Sequence, residues 1–190
     1  MKIDPMEIAD FRTELERLHG CSFGWALSCC RRDATEAEEV LQTVYLKILE
    51  GKARYRGESS LKTWLFAVIR KTAATEYRRR LLRSLRLAAD TEANDLAAPF
   101  ENQTASFERS EVQTHFQGAL KTLPRRQREA LHLVFYEDLS LREAADVMGV
   151  SIGSARQHYE RGKKKLRESL QRMEMGYGNN WGRQENPSAV

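Results

Sequence analysis

Hydrophobic residues recur at intervals of three and four positions along most of this chain, the spacing that places side chains on one face of an α-helix. The first such stretch covers residues 7–30, and its apolar positions are Ile8, Phe11, Leu15, Leu18, Trp25 and Cys29. The second covers residues 37–49 and ends before Gly51, and the third covers residues 61 to about 80. We predict one helix over each stretch, with Trp64 on the apolar face of the third.

Polar residues at the start of the second stretch predict where that helix begins. Asp33 is followed three positions later by Glu36, a spacing that lets the two residues satisfy free backbone N–H groups at a helix start. Glu38, Glu39 and Gln42 fall outside the apolar stripe. We therefore expect an acidic, polar surface along this helix.

The sequence from residue 123 to residue 170 predicts a helix-turn-helix. Pro124 marks a helix start, and Ala130, Leu131, Val134 and Phe135 are expected on its buried side. A Ser140–Glu143 capping box opens a short helix that Gly149 ends, and Ser151 opens the next. Small Ala145, four residues before Gly149, permits two helices to cross closely, as this motif requires.

The second helix of this motif carries a basic, polar exposed side that suits DNA. Its early residues Arg156 and Gln157 can make directional bonds to base edges in a major groove. The run from Lys163 to Lys165 can only neutralise phosphates. DNA binding is therefore our prediction for this segment.

Charge is distributed in blocks rather than evenly. The chain has 190 residues and a net charge of +4. Residues 33–51 carry one basic and five acidic residues, residues 52–86 carry eleven and two, residues 87–120 one and six, and residues 121–172 twelve and seven. Two basic blocks with an acidic block between them predict two surfaces that meet a polyanion, joined by an acidic linker.

Composition excludes several other classes of protein. No run of 18 apolar residues is present, and the N-terminus lacks the features of a secretory signal, so we expect a cytoplasmic protein with no membrane contact of its own. No Gly-rich phosphate loop or nucleophile–base set indicates an enzyme, and no cofactor is expected. His19, Cys21, Cys29 and Cys30 include no C-x-x-C pair, so we predict no metal, although a metal or redox sensor remains an alternative.

Three stretches together resemble the extracytoplasmic-function group of bacterial RNA polymerase sigma factors, which belong to the sigma-70 family. The first is EAEEVLQTVYLKI at residues 36–48, and the second runs from YRGESSLKTWL at residues 55–65 to YRRR at residues 77–80. The third runs from LPRRQREAL at residues 123–131 to Leu166 and Arg167. The resemblance implies an alternative sigma factor that binds core RNA polymerase, recognises promoter DNA and opens it.

The resemblance also implies which residues meet each partner. The clamp coiled coil of the polymerase would meet Glu38, Glu39, Leu41, Gln42 and Tyr45, and the polymerase flap and an anti-sigma factor are further partners. The minus-ten promoter element would meet Tyr55, Arg56, Gly57, Ser59, Lys62, Arg70, Lys71, Arg78, Arg79 and Arg80. The minus-thirty-five element would meet Arg142, Ser154, Arg156, Gln157, His158, Arg161 and Lys163.

We therefore predict an all-α protein with two small helical domains. The first covers residues 1–86, an acidic flexible linker covers residues 87–106, the helix-turn-helix domain covers residues 107–172, and a disordered tail covers residues 173–190. An ordinary helix-turn-helix regulator that does not act as a polymerase subunit is the alternative function.

Overall fold

The computed structural model describes residues 5–90, 118–120 and 122–178. Its helices are α1 (Pro5–Arg17), α2 (His19–Cys29), α3 (Ala34–Leu49), α4 (Leu61–Asp90), α5 (Arg125–Leu131), α6 (Leu141–Met148) and α7 (Ile152–Gly178), and a π-helical turn (His132–Tyr136) directly follows α5. Within these ranges there are helices and connecting segments but no strand, which confirms the all-α prediction. None of the described helices is both long and apolar enough to cross a membrane.

Three helices have different bounds from those predicted. The helix predicted over residues 7–30 is interrupted at Leu18, which separates α1 from α2. Helix α4 continues to Asp90 and helix α7 to Gly178, past the predicted starts of the linker and the tail. Leu81 and Leu85 are exposed, so helix-forming side chains rather than burial support the end of α4. The rest of the predicted linker, the first part of the predicted helix-turn-helix domain at residues 107–117 and the end of the predicted tail at residues 179–190 lie outside the described ranges.

The predicted helix caps are present. The Asp33 carboxylate accepts a hydrogen bond from the Glu36 N–H at 2.9 Å. At α6 the Ser140 side chain accepts from the Glu143 N–H, while the Ser140 N–H donates to Glu143 Oε2 at 2.9 Å. Gly149 ends α6 with φ of 62°, in the left-handed region. These local contacts fix where α3 begins and where α6 begins and ends.

Helix α4 is buried along two sides. One side packs on α2 and α3, where Trp25, Leu65 and Ile69 are fully buried. The other side packs on α6 of the helix-turn-helix unit. Trp64, predicted on the apolar face, is only half-buried and packs at the edge of the core, whereas Phe66 is fully buried.

The helix-turn-helix unit, residues 118–120 and 122–178, has a small core in which Ala130, Leu133, Met148 and Ala155 are fully buried. The prediction that Phe135 is buried is wrong, because 56% of this residue is exposed. The π-helical turn changes the angle between successive side chains, so Leu133 enters the core and Phe135 points outward.

Gly162 of α7 lies where α5 crosses α7. A Cβ atom at this position would lie 3.2 Å from the Gln127 backbone oxygen and 3.2 Å from Leu131 Cδ1. Gly162→Ala gains about 1 kcal/mol of helix propensity but incurs about 1–3 kcal/mol of overpacking. We therefore expect a net loss of unfolding free energy, measured by urea denaturation.

Gly24 in α2 is the matched control, because no atom lies within 4 Å of a Cβ added there. Gly24→Ala should stabilise the protein by about 0.5–1 kcal/mol. Equal gains from both substitutions would contradict the close crossing of α5 and α7.

Candidate nucleic-acid and partner interfaces

The outer face of α3 combines acidic and apolar side chains. Glu38, Glu39 and Gln42 are exposed as predicted. Leu46 and Leu49 continue the same face and are 55% and 84% exposed. Neither leucine was predicted for this surface, although helical spacing places both on the polar side of α3.

The other two residues predicted for this surface lie differently. Leu41 is buried and packs inside the bundle, so it supports α3 rather than presenting a contact. Tyr45 is half-buried, and its hydroxyl lies 3.0 Å from Nδ1 of His19. Burial raises the pKa of Tyr45 above its ordinary value.

Arg80 of α4 connects the acidic helix with the basic helix. Its guanidinium pairs with Glu36, and its Nη2 donates to Glu39 Oε2 at 2.6 Å. A predicted DNA cation therefore lies against a predicted polymerase contact. The carboxylates of Glu36 and Glu39 stay partly exposed, so another cation can reach them and compete with Arg80.

The loop between α3 and α4 forms a pocket of about 500 Å³. Its lining residues are Gly51, Lys52, Arg54, Tyr55, Arg56, Glu58, Ser59 and Trp64. The Tyr55 hydroxyl donates a hydrogen bond to the Ser59 backbone oxygen at 2.6 Å. The centres of the Tyr55 and Trp64 rings lie 5.5 Å apart. Gly57 adopts φ of 73°, which a side chain would disfavour. Aromatic walls beside cations suit a planar ring attached to a phosphate.

The remaining cations predicted for the minus-ten element fall into two groups. Lys71, Arg78 and Arg79 lie on the exposed surface of α4. Lys62 and Arg70 instead form ion pairs with the helix-turn-helix unit. Lys62 Nζ lies 3.0 Å from Glu137 Oε2, and Arg70 Nε lies 3.2 Å from Glu129 Oε2.

The recognition side of α7 is open to solvent. Arg156, Gln157 and Arg161 are exposed, as is Arg142 of α6, whereas His158 and Lys163 are half-buried. The hydroxyls of Ser151 and Ser154 lie 2.9 Å apart at the start of the helix. Lys163 Nζ lies 5.4 Å from the centre of the Tyr159 ring. The side chains of α7 among these form a polar and basic surface along that helix.

Two acidic residues of the helix-turn-helix unit are ionised at neutral pH. Burial by itself raises the pKa of Glu137, but the contacts of its carboxylate with the His132 and Lys62 side chains outweigh burial and hold this pKa below its ordinary value. Hydrogen bonds from Ser140 lower the pKa of Glu143. Both carboxylates therefore act as anions where they meet α4.

The cysteines lie against the core. Cys30 is buried, and Cys21 and Cys29 are half-buried. Burial raises the pKa of all three thiols, to about 11 for Cys30. Among the described residues, no group of three His, Cys, Asp or Glu side chains is arranged to hold a metal ion.

Two families match the chain in the order of its two units. Residues 15–83 match the family described as Sigma-70 region 2, and residues 119–168 match Sigma-70, region 4. The chain is 32% identical to the ECF RNA polymerase sigma factor EcfG of Rhodopseudomonas palustris over 134 residues, covering 70% of this chain and 71% of that protein. It is 27% identical to the RNA polymerase sigma factor SigZ of Bacillus subtilis over 139 residues, covering 73% and 75%.

Solved structures agree with these matches. The sigma factor RpoE of Bartonella quintana, in complex with the anti-sigma factor NepR, superposes with a TM-score of 0.65 at 26% identity, covering 85% of this chain and 97% of that one. CnrH, in complex with the cytosolic domain of CnrY, has a TM-score of 0.55 at 20% identity over 85% of this chain and 87% of that one, a likeness of fold.

The raised thiol pKa values predict low reactivity in the folded protein. With a pKa of about 11, about one Cys30 thiol in three thousand is ionised near pH 7.5. We expect slow reaction with a disulfide reagent in the native state and fast reaction after unfolding in guanidinium. A native thiol that reacts as fast as the unfolded one would contradict this prediction and favour a redox sensor.

Proposed function

We propose that separate surfaces of this chain, which belongs to the extracytoplasmic-function group of RNA polymerase sigma factors, bind the polymerase and the two promoter elements. It is an alternative sigma factor that binds core RNA polymerase and promoter DNA. Three separate surfaces support the proposal: the face of α3, the pocket before α4 and the exposed side of α7. A regulator that used only its helix-turn-helix would need neither of the first two.

The face of α3 binds the polymerase. Exposed Glu38 and Gln42 lie beside Leu46 and Leu49, so the surface has both charge and apolar area. Such a surface suits a basic, amphipathic helix pair, and the clamp coiled coil of the polymerase is the partner we assign to it. The leucines supply buried area, and the carboxylates set orientation and association rate.

The pocket before α4 receives an unstacked base of the minus-ten element. Opening DNA requires a site for the displaced base, and stacking on an aromatic side chain contributes about 1–3 kcal/mol. Tyr55 and Trp64 provide the aromatic wall, and Arg54 and Arg56 lie where the adjoining phosphates would pass. Exposed Lys71, Arg78 and Arg79 continue the basic path along α4.

Helix α7 reads the minus-thirty-five element. Arg156 and Gln157 in its first turns are exposed and can bond to base edges in the major groove. Arg142, Ser154, His158, Arg161 and Lys163 surround them and suit phosphate and groove contacts.

The further partners and the location follow from the same assignment. The structural neighbour RpoE is a sigma factor in complex with an anti-sigma factor, and we propose an anti-sigma factor for this chain as well. The polymerase flap is the second polymerase contact that we propose. The protein acts in the cytoplasm and has no catalytic chemistry of its own, because the polymerase supplies the active site.

The α3 assignment predicts the effect of a double substitution. Glu38→Lys with Gln42→Ala removes two exposed polar contacts and reverses one charge, while leaving the Arg80 pairs intact. We expect core polymerase binding to weaken by about tenfold or more, equivalent to 1.4 kcal/mol, by surface plasmon resonance.

The matched control is Glu16→Lys, which reverses an exposed charge on α1. It should bind core polymerase like the unmodified protein. The assignment of α3 is wrong if the double variant also binds normally.

The α7 assignment separates base reading from phosphate contact. On a duplex selected by the wild-type protein from a random pool, Arg156→Ala should cost about 1–3 kcal/mol and relax preference at one position. Lys163→Gln should weaken binding to all duplexes equally and lower the salt slope by about 1. Fluorescence anisotropy over a salt series measures both effects, and the same loss on every duplex from both variants would contradict the assignment.

A further inference from the structure

Arginines from both units of the structure meet beside the C-terminal end of α2. The turn between α2 and α3 supplies Arg31 and Arg32, and α5 supplies Arg125 and Arg128. Burial, together with the positive charges of the other three arginines, outweighs the effect of Glu129 and lowers the pKa of Arg128 below its ordinary value. We name these four arginines the arginine cluster. None of them belongs to the surfaces assigned above to the polymerase or to promoter DNA.

The packing of α2 against α5 brings these residues together. The ring centres of Trp25 and His132 lie 5.3 Å apart at one end of the contact. One turn further along α2, Cys29 lies close enough to Glu129 and Arg125 for both charges to act on its thiol. These two residues precede His132 by about one and two helical turns. The two helices therefore run in opposite directions, and the residues after Cys29 lie beside the first turn of α5.

The turn between α2 and α3 holds its two arginines in fixed positions. Arg31 Nη2 donates to the Tyr77 hydroxyl at 2.9 Å, and the guanidinium carbon lies 4.8 Å from the centre of the Tyr77 ring. Arg31 and Arg32 adopt φ of 55° and 69°, in the left-handed region that residues other than glycine rarely adopt. Asp33, which follows, accepts a hydrogen bond from the Glu36 N–H and so caps α3. Backbone strain of this kind often marks a functional segment.

The arginine cluster carries more positive charge than nearby carboxylates neutralise. Glu129 Oε1 pairs with Arg125 Nε at 2.8 Å, but this buried carboxylate is shared with two further arginines. Among the residues that the structure describes, no carboxylate forms an ion pair with Arg31, Arg32 or Arg128. Like charges held close together repel each other, and partial burial reduces the screening by water. A bound anion would remove this repulsion.

We propose that the arginine cluster binds a compact ligand with two or more linked phosphate groups. Guanidinium groups donate paired hydrogen bonds whose geometry matches phosphate oxygens. An extended nucleic-acid backbone is bound by cations that follow a groove. The four arginines instead come from two separate segments and surround the half-buried Arg128, an arrangement that suits a compact polyanion.

A ligand at the arginine cluster would contact both units of the structure. Arg31 and Arg32 belong to the first unit, and Arg125 and Arg128 belong to the second. By linkage, a ligand that binds all four must bind most tightly when the units are packed as described, and it must stabilise that arrangement. This inference does not depend on the proposed function, because none of the four arginines has a role in it.

The test measures binding of inorganic tripolyphosphate to the full chain by isothermal titration calorimetry. Physiological ionic strength is used, because it screens exposed charges beyond about 8 Å. We expect a single tight site in the unmodified protein. Arg32→Gln with Arg128→Gln removes one arginine from each unit and should weaken this binding by about tenfold or more. Arg32→Gln alone, at an exposed position, should weaken it in the same direction.

Thermal unfolding without ligand provides a second readout that also checks folding. The variant with Arg32→Gln and Arg128→Gln should unfold at the same temperature as the unmodified protein or at a higher one, because it relieves repulsion between like charges. Tripolyphosphate should raise the unfolding temperature of the unmodified protein and raise that of the variant much less. A variant that unfolds at a lower temperature without ligand would contradict the repulsion on which the inference depends.

The matched control is Arg83→Gln with Arg86→Gln, which removes the same charge at exposed positions of α4. This control should bind tripolyphosphate like the unmodified protein. Citrate is a polyanion with carboxylates in place of phosphates, and it should bind the unmodified protein more weakly than tripolyphosphate does. A short single-stranded DNA of mixed sequence tests the other source of phosphate groups.

Three outcomes would overturn the inference. Equal losses of tripolyphosphate binding in the cluster variant and in the control would indicate general attraction to positive charge. Equal binding of citrate and tripolyphosphate would show that the cluster does not select phosphate. If the cluster variant loses affinity for the single-stranded DNA while the unmodified protein does not bind tripolyphosphate, the cluster is a nucleic-acid contact and not a site for a compact ligand.

Discussion

The burial of α4 along two sides is the constraint on which the rest of the structure depends. One side completes the bundle with α2 and α3, where Trp25 stacks on Phe66 at 5.8 Å between ring centres and donates from Nε1 to the Phe66 backbone oxygen at 3.0 Å. The other side meets the helix-turn-helix unit through Lys62 and Arg70. A helix with two buried sides leaves few positions for DNA. Its exposed cations therefore lie from Lys71 onward.

This constraint explains why a strongly basic segment does not give a uniformly basic surface. Residues 52–86 carry nine more basic than acidic residues, but Lys62, Arg70 and Arg80 are paired within the protein. The cations that stay exposed border the pocket or follow it along α4. On the helix-turn-helix unit, acidic and basic side chains lie on different sides. Glu129 and Glu137 face α4, whereas Arg156 and Arg161 face solvent.

Local chemistry made much of the fold predictable. The caps at Asp33 and Ser140 and the left-handed Gly149 depend on residues within a few positions of each other, so the sequence alone indicates them. Long-range packing was not predictable in the same way. The Arg70–Glu129 and Lys62–Glu137 contacts join residues 59 and 75 positions apart, and no periodicity indicates them.

The candidate site shows the same division. The polar face of α3 and the recognition side of α7 follow from helical spacing. Other features depend on which helix faces have neighbours, namely the position of Trp64 in the pocket wall and the exposure of Leu46 and Leu49. An amphipathic pattern does not distinguish an apolar face that packs in the core from an apolar face that binds a partner. The π-helical turn at His132–Tyr136 changed the position of Phe135 for a geometric reason that no residue type signals.

Transcription in vitro tests most directly whether the surfaces of this chain act together in a polymerase subunit. The reaction contains core RNA polymerase stripped of its own sigma subunits, this protein and pooled genomic DNA fragments, and the RNA 5′ ends are mapped. We expect discrete start sites that share two upstream sequence elements. Binding to the DNA fragments without any discrete start site would contradict this assignment.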